Sequence, residues 1–305
     1  MRILVTGGAG FIGSHVADAC LTGGHEVGVL DDLSSGVKEN LDPRVRFWPL
    51  DLRDPGVAGV LADFRPDLIS HHAAQMSVGV SVREPQRDAA INILGTLNLL
   101  EAAVRHGVRR VIFASTGGAM YGEQAHLPTP ETVLPEPVSP YGVAKLAVER
   151  YLHAFQVLHG LEAVALRYAN VYGPRQNPHG EAGVVAIFCR AIVAGQPFTI
   201  NGDGAQTRDY TYVGDVVQAV LRAAALPATA PLPILNIGTG VETSVTTLVA
   251  SLQALAARPL PYRHGPAKPG EQRRSALDAS LAHRVLGWQP TVDLREGLRA
   301  TLAWF

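Results

Sequence analysis

Tyr141 and Lys145 stand four residues apart in Ser139-Pro140-Tyr141-Gly142-Val143-Ala144-Lys145. Ser139 is a natural N-cap and Pro140 suits a first helical position, so the segment predicts the start of a helix. Four-residue spacing then puts the phenol and the ammonium on one face, a turn apart. A phenol with a free pKa of about 10 is a poor base at neutral pH, and a neighbouring ammonium and the positive end of a helix both favour the phenolate. Such a pair can take a proton from a hydroxyl while hydride leaves the same carbon. A third group must polarise the reacting oxygen, and the strand that runs out at Phe113-Ala114-Ser115-Thr116 offers two hydroxyls, Thr116 first and Ser115 second.

Hydride needs an acceptor. Directly after the first apolar run, Ile3 to Val5, comes Gly7-Gly8-Ala9-Gly10-Phe11-Ile12-Gly13. Glycines at 7, 10 and 13 allow a tight turn, close approach of a pyrophosphate and packing of the next helix onto the sheet, while that helix aims free amides at the phosphates. A glycine triplet between strand and helix is the setting that dinucleotide binding requires. About 20 residues on, where an acid should meet the adenosine ribose, stand Asp31 and Asp32. A carboxylate there accepts from ribose hydroxyls and repels a 2'-phosphate, which favours NAD over NADP. Asp31 is assigned to the ribose and Asp32 to capping the turn. Asp51, read as ending a strand at Leu50-Asp51-Leu52, could take a hydrogen bond from the adenine amino group or simply be a solvated strand-end acid.

These groups need a frame. Short apolar runs at Ile3 to Val5, Val27 to Leu30, Leu68 to Ser70 and Val111 to Ala114 alternate with helical stretches, notably Phe11 to Leu21 and Ala89 to His106. That rhythm predicts an α/β fold with a Rossmann-type doubly wound parallel sheet. Beyond about Ala169 it loosens into loops around Gly173 to Gly183 and Asn201 to Arg208, which predicts a smaller mixed α/β lobe that closes over a substrate. The expected division is residues 1–168 for NAD, with segments near 210–240 returning to the main sheet, and 169–305 largely for substrate. Pro128 to Pro140 reads as a rigid extended loop.

The 305 residues are 47% hydrophobic and 17% charged, with a formal net charge of -1. This excludes a disordered chain and gives no global positive field for nucleic acid or an acidic membrane surface. Cys20 and Cys189 lack the paired spacing of a metal site, so no metal is expected, and both read as small buried hydrophobes. No apolar run approaches the roughly 20 residues of a membrane helix. The run at the N-terminus stops at Thr6-Gly7-Gly8, short of a signal-peptide core. A cytoplasmic enzyme is expected.

The residues above, taken with Ala73-Ala74, Asn92 with Gly95-Thr96, Tyr121-Gly122, Arg167-Tyr168-Ala169-Asn170, Thr207-Arg208-Asp209-Tyr210, Asn236 to Gly240 and Leu286-Gly287-Trp288, make the chain resemble an extended short-chain dehydrogenase/reductase. Within that family it is similar to the nucleotide-sugar epimerases of the UDP-glucose 4-epimerase kind. The resemblance implies that Tyr141 takes the sugar 4-hydroxyl proton while NAD takes the C4 hydride, and that the 4-keto sugar turns over and receives hydride on its other face. It implies cofactor contacts at Phe11, Ile12, Leu52, Ala73, Ala74, Asn92 and Tyr168. It places Asn170 on the substrate, Arg208 on the diphosphate or nucleoside, and Lys268 and Glu271 on the nucleotide.

The sequence departs from the family in three places. The usual position of the catalytic hydroxyl, four residues before Tyr121, is Gly117. The position that often stacks an aromatic on the base is Asn201. The position that limits sugar bulk is Ser275, small enough to admit N-acetylhexosamines beside hexoses. Gly117-Gly118 also stands where related dehydratases carry an acid pair, which argues against a 4,6-dehydratase. A nucleotide-sugar dehydrogenase or reductase and an NAD-sensing scaffold protein are the other readings. A UDP-hexose is the expected substrate, and a homodimer is expected through Ala89 to His106 and Pro140 to His159.

Overall fold

The chain opens on β1 (Arg2–Thr6), whose last four residues are all buried. A computed structural model of the chain describes residues 1–178, 183–228, 232–257, 259–267 and 272–305. After β1 come α1 (Phe11–Thr22), β2 (Glu26–Leu30), β3 (Arg46–Trp48), α2 (Val57–Phe64) and β4 (Leu68–His71). A helical stretch follows in four pieces: α3 (Val78–Arg83), α4 (Pro85–Ala89), a π-helical turn over Ala90–Gly95 and α5 (Thr96–Arg105). Next are β5 (Arg110–Thr116), α6 (Pro140–His159), β6 (Glu162–Tyr168), β7 (Asn170–Tyr172), α7 (Val184–Ala194), β8 (Phe198–Asn201), β9 (Thr207–Arg208) and β10 (Tyr210–Tyr212). The remainder is α8 (Val213–Ala225), β11 (Ile234–Ile237), β12 (Thr243–Ser244), α9 (Val245–Ala256), β13 (Tyr262–Gly265), α10 (Ser280–Leu286) and α11 (Leu294–Trp304).

Seven strands form one parallel sheet in the order β11-β6-β5-β4-β1-β2-β3. From β1 the chain winds outward through β2 and β3, then crosses back to lay β4 on the other side of β1. That reversal opens a crevice at the carboxyl ends of β1 and β4, where Thr6 lies level with His71. Alternate residues of β1 feed opposite cores: Ile3 and Val5 join the face covered by α1 and α8, and Leu4 joins the face covered by α2, α5 and α6. Covering both faces is why the strands read as continuous apolar runs. The expected doubly wound sheet is therefore present, and so is the smaller mixed lobe, whose own core gathers Phe188, Phe198, Leu248, Leu252 and Leu298. Among the described residues no helix is long and apolar enough to cross a membrane.

One expectation about elements is corrected. β3 ends at Trp48, one further ladder bond from the Leu50 amide to the Asp31 carbonyl (3.2 Å) carries the chain past Pro49, and Asp51 lies in a turn beyond the strand instead of at its end, its carbonyl accepting from the Asp54 amide. The expected helical stretch Ala89 to His106 is present, with a π-turn over Ala90–Gly95 within it. α6 begins and ends as its sequence dictates: the Ser139 hydroxyl accepts from the Gly142 amide at 3.2 Å, Pro140 takes the first position, and Gly160 closes the helix with φ +67°.

Beneath the carboxyl ends of β5 and β6 lies a buried polar cluster. The Arg167 guanidinium on β6 donates twice to Glu149 on α6, Nη2 to Oε2 at 2.6 Å and Nε to Oε1 at 2.9 Å. Ser115 also donates to Glu149 (2.6 Å), Arg167 Nη1 donates to the Tyr121 hydroxyl (2.7 Å), and that hydroxyl donates to Asn236 on β11 (2.8 Å). The pair side chains are 3% and 0% exposed. Removing one member of so buried a pair strands the other charge, at a cost of about 3–5 kcal/mol. We therefore expect Arg167→Met to lower unfolding stability by about that amount, and the double variant Arg167→Met/Glu149→Leu to recover most of it, as read from denaturant midpoints at constant m. A single variant that loses less than ~1 kcal/mol, the scale of an exposed pair, would contradict this assignment.

Candidate functional site

The site is built at the crevice between β1 and β4. Gly7 has φ +67°, and a Cβ there would sit 2.5 Å from the Ala73 amide nitrogen; a Cβ at Gly13 would sit 2.2 Å from the Gly7 carbonyl oxygen. Both positions must be glycine for the loop, the helix and the 72–73 segment to close on one another. A Cβ at Gly10 would crowd the Gly7 carbonyl oxygen at 3.2 Å, with no other neighbouring atom within 4 Å. Gly10 precedes α1, Phe11 and Ile12 open that helix, and its first amides have no partner within the helix. The shape and the free amides fit a phosphate.

Asp31, at the end of β2, is buried and accepts from the Ala9 amide (3.0 Å) and the Leu33 amide (2.8 Å). It therefore pins the glycine loop as well as its own turn, and its oxygens retain lone pairs for a ribose hydroxyl. Burial pushes its carboxyl up, against the pull of those amides. Asp32 caps the turn as expected, accepting from the Ser34 amide at 2.9 Å and the Ser34 hydroxyl at 2.6 Å. Asp51 is held by Arg53, whose side-chain hydrogen bond keeps its carboxyl below the usual range. Leu52 is buried beside it. The Asn92 amide, on the π-turn, is bonded wholly to protein: it donates to the Gln75 carbonyl and to Asp88 and accepts from the Gln75 amide, each at 2.9 Å. Asn92 thus clamps the loop that follows Ala73 and Ala74. The Tyr168 hydroxyl, at the end of β6, is buried with no partner in the protein, and its ring stacks on His72 at 6.5 Å. An orphaned hydroxyl beside a glycine cradle is what a dinucleotide site leaves when the chain is considered alone.

On α6, Lys145 is buried, its Nζ donating to the Ala114 carbonyl at 2.8 Å, 4.7 Å over the Phe113 ring and 5.7 Å from the Tyr141 ring centre. Burial brings the ammonium down to about 8, while Asp88 and Glu149 hold it up. The expected depression of the Tyr141 phenol is not found in the protein by itself: burial pushes it well up, and the Asp88 carboxylate adds to the shift. Desolvation of a phenolate outweighs the nearby ammonium here.

The two candidate hydroxyls separate cleanly. Along a strand successive side chains face opposite ways, and the register sets Ser115 beside Arg167 and Thr116 beside Tyr168. Ser115 is buried and spends its proton on Glu149. Thr116 is half-buried and accepts from the Ala119 amide at 3.2 Å, which leaves its proton available to a reacting oxygen. No hydroxyl could stand at Gly117 without displacing Leu277, since a Cβ there would meet that side chain at 2.3 Å.

Of the residues assigned to substrate, Asn170 borders the catalytic loop, its Oδ1 3.5 Å from where a Gly118 Cβ would lie. Arg208 is half-buried on β9 and donates to the Thr207 carbonyl at 2.7 Å. Its neighbour Asp209 ties the lobe together through the Thr239, Gly240 and Leu277 amides. Asn201 ends β8, and Ser275 is buried. Lys268 and Glu271 lie outside the described residues. Sequence reasoning missed Asp88, His72 and the Glu149–Arg167 pair. Glu149 alone carried a signal, standing four residues beyond Lys145 on the same helix face.

A glycine loop before α1, a buried acid after β2 and a tyrosine–lysine pair on α6, set on a parallel doubly wound sheet, fit a nicotinamide-dependent enzyme. Residues 3–238 match the model of the NAD dependent epimerase/dehydratase family, and the chain belongs to that family. It is 47% identical over 310 residues to UDP-glucose 4-epimerase of Mycolicibacterium smegmatis, covering 100% of this chain and 98% of the relative. Among solved structures it is similar to UDP-glucose 4-epimerase with UDP-glucose from Thermotoga maritima (TM-score 0.97, 48% identity, 100% and 98% of the two chains covered). It is likewise similar to the Thermus thermophilus UDP-glucose 4-epimerase complex with NAD (TM-score 0.94, 45% identity, 100% and 98% covered). The chain is an NAD-dependent enzyme of the epimerase class, and the glycine loop, Asp31 and Tyr168 fit that cofactor.

If Thr116 rather than Ser115 meets the reacting oxygen, Thr116→Ala lowers kcat about 10²-fold or more with the melting temperature unchanged. Ser115→Ala should instead lower the melting temperature and spare most of kcat. The reverse pattern would exchange their roles.

Proposed function

We propose that the chain epimerises a nucleotide-diphosphate sugar at C4, foremost UDP-glucose and UDP-galactose, through a transient 4-keto sugar. The observation that carries this is the setting of Tyr141 and Lys145 beside Gly117 and Gly118. Proton and hydride removal at one carbon is provided for, while the acid pair that elimination needs is replaced by two glycines, one of them packed on Leu277. The full-length similarity to enzymes named UDP-glucose 4-epimerase supports the sugar and the base.

In this reading residues 1–168, with the segments near 210–240, hold NAD, and 169–305 largely hold the sugar nucleotide. Tyr141 takes the proton of the 4-hydroxyl, Thr116 donates to the same oxygen, and the Lys145 ammonium offsets the charge that develops. NAD, held by the glycine cradle, supplies the acceptor for the C4 hydride and its return. Arg208 faces the diphosphate, with Lys268 and Glu271 assigned to the nucleotide. Asn170 holds the sugar. Asn201 borders the base without an aromatic stack, and the small Ser275 leaves room for an N-acetyl group. Incubating the purified protein with UDP-glucose or UDP-galactose, with no NAD added, should give both sugars by NMR. Accumulating NADH would point to a dehydrogenase, and unchanged sugars to a protein that only senses NAD.

A second copy is the proposed partner. Val82 on α3, Leu94 on the π-turn, and Val143, Val157 and Leu158 on α6 are all exposed, Leu158 to 73%. So large an apolar set on adjoining helices is what an interface between subunits covers. Light scattering should return the mass of two chains, and Leu158→Arg should shift it toward one. A wild-type mass of one chain under dilute conditions would remove the dimer.

A further inference from the structure

Asp88 takes no part in the chemistry described so far, yet its position is unusual. It lies on α4, is 1% exposed, and has its Oδ1 held by the Gln75 side-chain amide (2.8 Å) and the Asn92 amide (2.9 Å). Its Oδ2 is buried with no hydrogen-bond partner in the protein. A carboxylate oxygen left bare inside a protein is costly unless a charge or ligand compensates it. Asp88 lines a cleft of about 360 Å³ whose opposite wall is Ser139, Pro140, Val143 and Ala144, the turn of α6 that carries Tyr141. The π-turn beside it carries Asn92, so the irregular backbone and the bare carboxylate oxygen belong to one construction.

We propose that Asp88 is a positioning residue for proton transfer, its carboxylate setting the charges of Tyr141 and Lys145 so that Lys145 stays an ammonium while Tyr141 cycles. The inference rests on the reading of Tyr141 and Lys145 given above. The groups around it agree. Lys145 is the cation that acts on Asp88, and Asp88 in turn acts on both Lys145 and Tyr141. Glu149, one turn beyond on α6, adds to the hold on Lys145 but is itself consumed by Arg167. His71 and His72, on the sheet side, are kept neutral by burial and by Lys145, His72 down to about 3, so neither supplies a competing cation. On α3 and α4 the other charges, Arg83, Glu84 and Arg87, are exposed. Asp88 is thus the anion that offsets the burial of Lys145 without being tied up in an ion pair.

The sign of the effect is fixed. Asp88 raises both partners, so neutralising it lowers both. In Asp88→Asn holoenzyme, which keeps an oxygen for Gln75 and Asn92, the acid and basic limbs of the kcat/KM profile should both move to lower pH by about half a unit or more. Asp88→Glu should restore them. The phenolate of Tyr141 gives a readout independent of turnover: the ultraviolet difference between Asp88→Asn and Asp88→Asn/Tyr141→Phe should titrate at lower pH than the same difference in the parent. That signal persists even if the protein proves not to be an epimerase, so failure of the reaction and failure of the inference are told apart. Asp88→Ser carries the same expectation if the amide variant does not fold. Limbs and phenolate that stay in place, a Glu variant that shifts like the Asn variant, or neutral variants that never fold would each overturn the proposal by assigning Asp88 to the scaffold.

Discussion

The buried pairing of Glu149 with Arg167 is the constraint on which the geometry of this protein turns. α6 is long, and Tyr141 and Lys145, proposed to carry the chemistry, sit in its first two turns, far from its other end. A two-point guanidinium–carboxylate contact fixes both the rotation of the helix and its height over the sheet, because its geometry tolerates little of either. With α6 set in this way, Lys145 meets the Ala114 carbonyl one strand away and Tyr141 stands over the crevice. The same cluster reaches Ser115 on β5, Tyr121 after it and Asn236 on β11. One buried charge pair therefore ties α6 to β5, β6 and β11.

Burial shapes the electrostatics above that pair. Lys145 is buried and Tyr141 half-buried, and desolvation acts against the charged form of each. The protein alone holds Tyr141 as a phenol rather than a phenolate. The nicotinamide ring of oxidised NAD is positively charged, so a ring bound near Tyr141 would favour its phenolate. The histidines behind Tyr141 and Lys145 are kept neutral by burial and leave the ammonium without a rival.

Much of this was legible in the residues. The glycine spacing, Asp31 and Asp32, the alternation of the first half and the capped start of α6 are local signals, each read within a dozen residues, and each corresponds to an element in the structure. What failed to be legible depends on contacts distant in sequence. Arg167 and Glu149 are charged residues that composition places at the surface; only the packing of α6 on β6 shows that they bury one another. The choice between Ser115 and Thr116 rests on strand alternation, invisible until the neighbouring strand is in place. Asp51 falls just past the strand, after a last ladder bond from the Leu50 amide to Asp31, a boundary that the run Leu50-Asp51-Leu52 does not mark. The phenol's ionisation was misjudged because proximity to an ammonium can be read from spacing and depth of burial cannot.

Gly117 and Leu277 touch across the boundary between the catalytic strand and the C-terminal part of the chain. Leu277 is itself anchored, its amide bonded to Asp209 and its side chain packed with Met120 and Tyr121. The contact limits how this scaffold could change its chemistry over evolutionary time. Any side chain gained at 117 would first require the Leu277 side chain to turn within that packed cluster. Positions 117 and 277 are therefore expected to change together, however far apart they stand in the sequence.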